Sequence, residues 1–265
     1  MRLKIHHRTR YSFTKAQLRL VQMLRLTPED TDGQTVIDWR IDVDRDARLR
    51  QGRDGFGNRV TMLYADGPID AIEIEVSGEV LTGQGDDGIV SGATEPFPPE
   101  LYLRTTDRTL ADDHLVAFLA PLMQSSDPLE RLHGANRGLF RHITLDGDGP
   151  DDGRSAREAF DAATHAPRDA AHILIAGLRA MGVPARYVWG YRSVEGDALA
   201  VPHAWTEAHV AGRGWMAFDP SCGECAGSDH ARVAIGLDSL TAAPVAGSRL
   251  GPGRERLAVD TGAEE

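Results

Sequence analysis

Cysteine is nearly missing from this sequence. Two are present among 265 residues, Cys222 and Cys225. That is too few for a disulfide framework, so a reduced, cytoplasmic setting is the expectation. Long apolar runs are missing as well. No stretch is long and apolar enough to span a bilayer, and the basic segment 1–10 has no apolar run behind it, so no secretory leader is expected. Positive charge is in deficit: 29 Lys and Arg stand against 40 Asp and Glu, a net charge of −11. That argues against nucleic acid and anionic membrane surfaces as partners. What is present is the composition of a soluble globular chain, 41% hydrophobic and 26% charged, with the length of one large or two medium domains.

Residues 1–83 read as β. Ile37, Trp39, Ile41 and Val43 alternate with Asp38, Arg40 and Asp42, and Ile72, Ile74 and Val76 alternate with Glu73 and Glu75, the period of half-buried strands. Asp54-Gly55-Phe56-Gly57-Asn58 and Asp66-Gly67-Pro68 are turn signals. Short strands with turns between them predict a β-sandwich. His6 and His7 are adjacent, so on a strand they point to opposite faces. Residues 84–108 read as a linker, rich in Gly and Asp and then stiffened by Pro96, Pro98 and Pro99. A core spans 109–246. Its expected helices are 109–124, 127–142 with Asp127 capping and Pro128 at the first helical position, 155–163 and 167–181. A loop dense in Asp and Gly covers 146–153. Strands at 185–193, 203–210 and 215–219 follow, the last two joined by the short connection 211–214. The tail 247–265 is Gly-, Ala- and charge-rich and is expected to fray.

Chemistry concentrates near the end of the core. His203 shares a strand face with Trp205 and Glu207, and Asp219 ends the next strand. A carboxylate on one ring nitrogen fixes the tautomer and raises the basicity of the other. The alternative is a satisfied histidine at a strand end. The stretch Thr164-His165-Ala166-Pro167-Arg168-Asp169-Ala170-Ala171-His172 opens the long helix, where a nucleophile would complete a triad. Ladder counting across 211–214 brings Cys222 near His203. Cys222 and Cys225 form a CxxC pair, which would need His230, His209 or Asp229 to complete a zinc site.

Several of these segments resemble the bacterial transglutaminase-like superfamily. Its His and Asp strands are matched by His203-Ala204-Trp205, Gly214-Trp215 and Phe218-Asp219-Pro220, preceded by the run from Ala180 to Val188 with Gly190-Tyr191. Upstream, Tyr11-Ser12-Phe13, Leu24-Arg25-Leu26-Thr27-Pro28 and the two turn signals are similar to the β-rich domain that precedes the core in bacterial members. The resemblance implies an α+β fold: an N-terminal β-sandwich followed by a papain-like, transglutaminase-like core of helices on an antiparallel sheet. It implies acyl transfer through a thioester, with Cys at a helix N-terminus and His and Asp on the sheet. The family helix opens Gly-Val-Cys-Gln-Asp-aromatic-Ala-His. Here Asp169, Ala171 and His172 match without a gap, Pro167 stands on the cysteine and Arg168 on the glutamine.

Proline brings neither a thiol nor a backbone N–H for an oxyanion, yet it suits a first helical turn. The expected function is therefore a transglutaminase-like protein without thiol chemistry, acting as a binding or assembly module. His203 and Asp219 would be a remnant dyad, Pro167 the lost nucleophile position, and Arg168, Trp205 and Cys222 binding residues, with Trp205 walling the cleft. No cofactor and no metal are expected. A peptide or protein ligand in the cleft and an ATP-grasp-type partner are what the resemblance implies. An active hydrolase or amide-forming transferase using His203, Asp219 and a relocated nucleophile such as Cys222 stays open. So does metal-assisted hydrolysis through His203, Asp219 and the CxxC pair.

Overall fold

Alternation starts the fold. Leu3, Ile5, His7, Thr9, Tyr11 and Phe13 are buried while most residues between them are not, so the first element is a strand with one inward face. The computed structural model of the protein describes residues 1–83, 88–147, 153–194 and 199–260. In chain order its elements are β1 (Arg2–Leu24), β2 (Gln34–Val43), β3 (Arg48–Arg53), β4 (Arg59–Thr82), β5 (Ile89–Val90), α1 (Asp113–Leu119), α2 (Pro128–His142), α3 (Ala156–Phe160), α4 (Pro167–Ala180), β6 (Ala185–Arg192), β7 (Val201–Val210), β8 (Gly214–Asp219), β9 (Glu224–Cys225), β10 (His230–Gly236), β11 (Val245–Leu250) and β12 (Glu255–Asp260). The class is α+β.

The N-terminal strands form one six-stranded sheet ordered β11-β1-β4-β2, with β12 also on β1 and β3 also on β4. The separate sheets expected of a sandwich are joined here, because β1 and β4 are 23 and 24 residues long and run through both halves. The Asp66-Gly67-Pro68 signal does not reverse the chain. It lies within β4, opposite the register shifts between Ser12, Gln17 and Arg19 in β1. Glycine is required there, since a Cβ on Gly67 would stand 2.1 Å from the Gln17 carbonyl oxygen. The Asp54 turn behaves as read: the Asp54 carboxylate accepts from the backbone N–H of Phe56 and Asn58 at 2.9 and 3.1 Å.

The second sheet is antiparallel, ordered β10-β6-β7-β8-β5 with β9 on β8. Helix α4 packs on β6 and β7. Ala170, Ala171, Ile173, Leu174, Ile175 and Leu178 are buried along it, and each large apolar side chain so buried contributes about 1.5–3 kcal/mol. Thr206 on β7 donates to the Ala171 carbonyl at 3.2 Å. Helix α2 begins as expected, with the Asp127 carboxylate accepting from Leu129 N–H at 2.9 Å and Pro128 at the first position. The expected helix 109–124 is shorter. It is α1 capped by Asp112, followed by a 3₁₀ turn at Ala120–Met123.

Two boundaries differ from expectation. The linker is docked, not free: β5 pairs with β8, Glu95 holds Arg186 through two hydrogen bonds of 2.6 and 2.8 Å, and Tyr102 is fully buried. Nor is the tail frayed through residue 260. β11 pairs with residues 19–24 and β12 with residues 8–13 of β1, so main-chain hydrogen bonding holds a segment whose composition reads as loop. Residues 148–152 of the Asp/Gly loop, 84–87 of the linker and 261–265 of the tail lie outside the described residues. The N-terminal sheet, the helices and the second sheet share one apolar core.

Candidate functional site

Helix α4 opens at Ala166, an extended N-cap, and Pro167 takes the first helical position. The Asp169 carboxylate accepts from Ala166 N–H at 3.1 Å and from the Arg154 guanidinium at 3.0 Å, closing the helix start. Pro167 and Arg168 line a cavity of about 410 Å³ together with His203, and Tyr11, Tyr187 and Trp189 supply aromatic walls. Leu257 and Val259 of β12 line it too, so the chain end closes one side. The expectation that Pro167 begins the long helix beside His203 is met.

His203 and Asp219 are brought together. Paired residues on β7 and β8 end at Thr206 opposite Phe218, which leaves Asp219 on the face of Trp205 and His203. The His203 Nε2 to Asp219 Oδ2 distance is 2.8 Å. Ser221 Oγ is 3.3 Å from the same Nε2, and Ser221 N–H donates to Asp219 Oδ1 at 2.8 Å. Both of these His203 contacts use Nε2, so Nδ1 is the nitrogen left for the cavity.

A second histidine completes the cluster. His230 Nε2 lies 3.1 Å from Asp219 Oδ2, and its Nδ1 lies 2.7 Å from Asp229 Oδ1. Arg192 reaches Asp219 at 3.3 Å and Asp229 at 3.1 Å. Burial alone would raise the Asp219 pKa, but hydrogen bonds from His203 and His230 hold it well below the usual carboxylate range. Burial would lower the His230 pKa, and its bonds to Asp219 and Asp229 raise it instead. His203, Asp219 and His230 offer donor atoms within 4.8 Å of one another, an arrangement that could hold a metal ion.

Two expectations need correction. Trp205 does not wall the cleft. It is 2% exposed, stacks near His203 with ring centroids 6.4 Å apart, and lines a different cavity of about 430 Å³ with Glu207, His230 and Arg232. It can lie so close because residue 190 is glycine: a Cβ there would meet the Trp205 ring at 2.7 Å. Cys222 lies beside Asp219, outside the Pro167 cavity. Its Sγ donates to the Asp219 carbonyl at 3.6 Å, and it is not among the residues lining the Pro167 cavity. Burial, followed by the Asp219 charge, pushes its thiol up to about 11. Ser221 is no substitute, because it shares Nε2 with Asp219, whereas a relay needs the two ring nitrogens on opposite partners.

His7, Ser221 and Arg192 are absent from the site the sequence suggests, and His230 and Asp229 enter it only as partners for the CxxC pair. His7 carried a signal, its place in the inward alternation of β1. It is hydrogen-bonded to Tyr191 Oη at 3.0 Å and to Thr9 Oγ1 at 3.1 Å, while His6 faces Glu75 on the other side of the strand. His230 is brought in by β10 pairing with β6, a long-range pairing that no local pattern announces.

Two family models and one solved structure agree with this architecture. Residues 3–81 match the family described as bacterial transglutaminase-like N-terminal region, and residues 118–220 match the transglutaminase-like superfamily core. An uncharacterized protein of Mycobacterium leprae is 24% identical, over 97% of this chain and 96% of that protein. The solved structure titled "Putative Cysteine Protease from Cytophaga hutchinsonii" is similar with a TM-score of 0.73 at 19% identity, covering 100% of this chain and 92% of that one. The periplasmic domain of TgpA from Pseudomonas aeruginosa has a TM-score of 0.38 at 16% identity, covering 81% and 87%. Among the described residues, no helix is long and apolar enough to cross a membrane. With its N-terminal region and its core both matched, and with this helix and sheet arrangement, the chain belongs to the bacterial transglutaminase-like superfamily.

Proposed function

We propose that this protein has lost thiol acyl transfer and uses the old cleft to hold a peptide or protein segment. The carrying observation is Pro167 at the first position of α4, on the wall of the cavity that His203 also lines. Asp169 and His172 keep the family spacing around it, so Pro167 stands where the nucleophile would be. Without a thiol no thioester forms, and without an N–H the helix start offers one fewer donor to an oxyanion. The fold tolerates the exchange because that N–H has no helical partner in any case. A cavity of about 410 Å³ with aromatic walls and one guanidinium suits an apolar side chain next to a polar or anionic group. An ATP-grasp-type partner supplying or receiving that segment is part of this reading by family analogy. So is a reduced cytoplasmic setting, in keeping with a sequence of only two cysteines.

A second reading, an active hydrolase or transferase, is favoured by the intact His203–Asp219 hydrogen bond of 2.8 Å. Iodoacetamide labelling across pH, with peptide mapping, separates the two. In the wild type, Cys222 should alkylate only as pH rises toward about 11, unchanged by His203→Ala. In Pro167→Cys, the new thiol at a helix N-terminus should react at lower pH than Cys222 or Cys225, and His203→Ala should remove that advantage. If wild-type Cys222 reacts at low pH and His203→Ala abolishes the reaction, the second reading replaces the first.

A further inference from the structure

We propose that His203, Asp219 and His230 form a binding site for one divalent transition-metal ion, with Zn²⁺ the fitting probe. The inference goes beyond the loss of thiol chemistry and stands independently of it. Three donor atoms, His203 Nε2, Asp219 Oδ2 and His230 Nε2, converge within 4.8 Å of one another. The carboxylate oxygen is 2.8 and 3.1 Å from the two nitrogens. Tetrahedral zinc with bonds of about 2.0–2.2 Å sets neighbouring donors about 3.3 Å apart. The carboxylate oxygen would move out by a few tenths of an ångström and the two imidazole nitrogens, within 4.8 Å of each other, would close on the ion, which would take the place of the hydrogen bonds between these groups.

The surroundings suit a metal. His230 Nδ1 is held by Asp229 at 2.7 Å, and Asp219 Oδ1 by Ser221 N–H at 2.8 Å. A carboxylate on the far nitrogen of a ligating imidazole, with a hydrogen bond on the spare carboxylate oxygen, orients both ligands before the ion arrives. The three ligand side chains are 0–7% exposed, so they are fixed by packing. Arg192, 3.3 Å from Asp219 Oδ2, is shared with Asp229, and these two carboxylates outnumber the one guanidinium. Entry is available from the cavity that His230 lines beside Trp205 and Glu207. Two imidazoles and a carboxylate select zinc, iron, cobalt or nickel over calcium and magnesium. The CxxC pair contributes no donor to this cluster, so the site differs in its ligands from a cysteine zinc site.

The test uses the full chain after dialysis against EDTA. Titration with Zn²⁺ by calorimetry and with Co²⁺ by visible absorption should show one equivalent, with tetrahedral cobalt bands and no thiolate charge-transfer band. His203→Ala and His230→Ala should each abolish binding. Asp229→Asn should weaken it about 10–100-fold. A Cys222→Ser, Cys225→Ser double variant should bind like the wild type. X-ray absorption of the zinc-loaded wild type gives the ligands without any substitution, should a histidine variant fail to fold. Two imidazoles and no sulfur are expected. No bound equivalent, sulfur in the first shell, or binding that survives His230→Ala would overturn the site.

Discussion

His7 gives a measurable acid sensitivity. Burial, and then the neighbouring His6 charge, lower its pKa from the ordinary 6.5 to about 4. It sits inside β1, 3% exposed, against Trp189 and Tyr191 of β6, with hydrogen bonds that a neutral imidazole can make. An unfolded chain takes up the His7 proton near 6.5, whereas the folded one holds off until about 4. Across that window the unfolded state binds more protons, so acidification favours unfolding. At about 1.4 kcal/mol per pH unit, the window corresponds to roughly 3 kcal/mol of stability, present above 6.5 and lost by about 4. Asp219 and Asp229 also lose stabilising charge in acid, which calls for a difference measurement. His7→Gln keeps hydrogen-bonding capacity without titrating. Urea unfolding of both proteins, in steps from about pH 7 to about pH 4, should show the wild type losing about 3 kcal/mol relative to the variant. Parallel stability profiles would refute the reasoning, because they would mean that His7 protonates equally well in the folded protein.

Arg186 is fully buried between Glu207 and Glu95, with its guanidinium 3.9 Å above the Trp215 ring. Arg186→Met should cost about 3–5 kcal/mol by leaving Glu207 with less compensation in the interior, and adding Glu207→Gln should recover much of it. A loss below about 1 kcal/mol in urea unfolding would show the network to be dispensable. Ending the chain after residue 246 removes β12 and most of β11 from β1 and takes Leu257 and Val259 from the cleft. Such a protein should melt well below the full chain and aggregate through the freed edge. Melting within about 2 °C of the full chain would contradict the structural role assigned to that segment.

Much of this arrangement was legible locally. Asp127-Pro128 and Pro167 mark helix starts because a cap and a fixed φ act within one turn, and His203 with Asp219 follows from two neighbouring strands and a short connection. The cavity that Trp205 lines and the direction of the Cys222 thiol are not legible, for a common reason. Sharing a face with His203 does not decide which cavity a side chain reaches, and ladder counting brings this turn to His203, where Ser221 Oγ is 3.3 Å from Nε2, but does not say which way the Cys222 thiol points once the chain folds back and Gly223 N–H bonds to the Asp219 carbonyl at 2.9 Å. β11 and β12 were invisible because a Gly-rich, charged segment becomes a strand only when another strand supplies its hydrogen bonds. The Asp66-Gly67-Pro68 run was overread for the converse reason: a breaker inside a long strand can bend it without ending it.

The pairing of β1 with β11 and β12 also orders events during synthesis. Residues 8–13 and 19–24 leave the ribosome long before their partners at 245–260. Until those arrive, one side of the first strand can be covered by β4 while the other is open to whatever strand comes near. The slowest contacts to form are thus the ones that seal the open side of β1. A ribosome stalled before residue 245 would carry a nascent protein with both sheets largely translated and a long sticky border, a natural target for a chaperone that recognises unpaired strands.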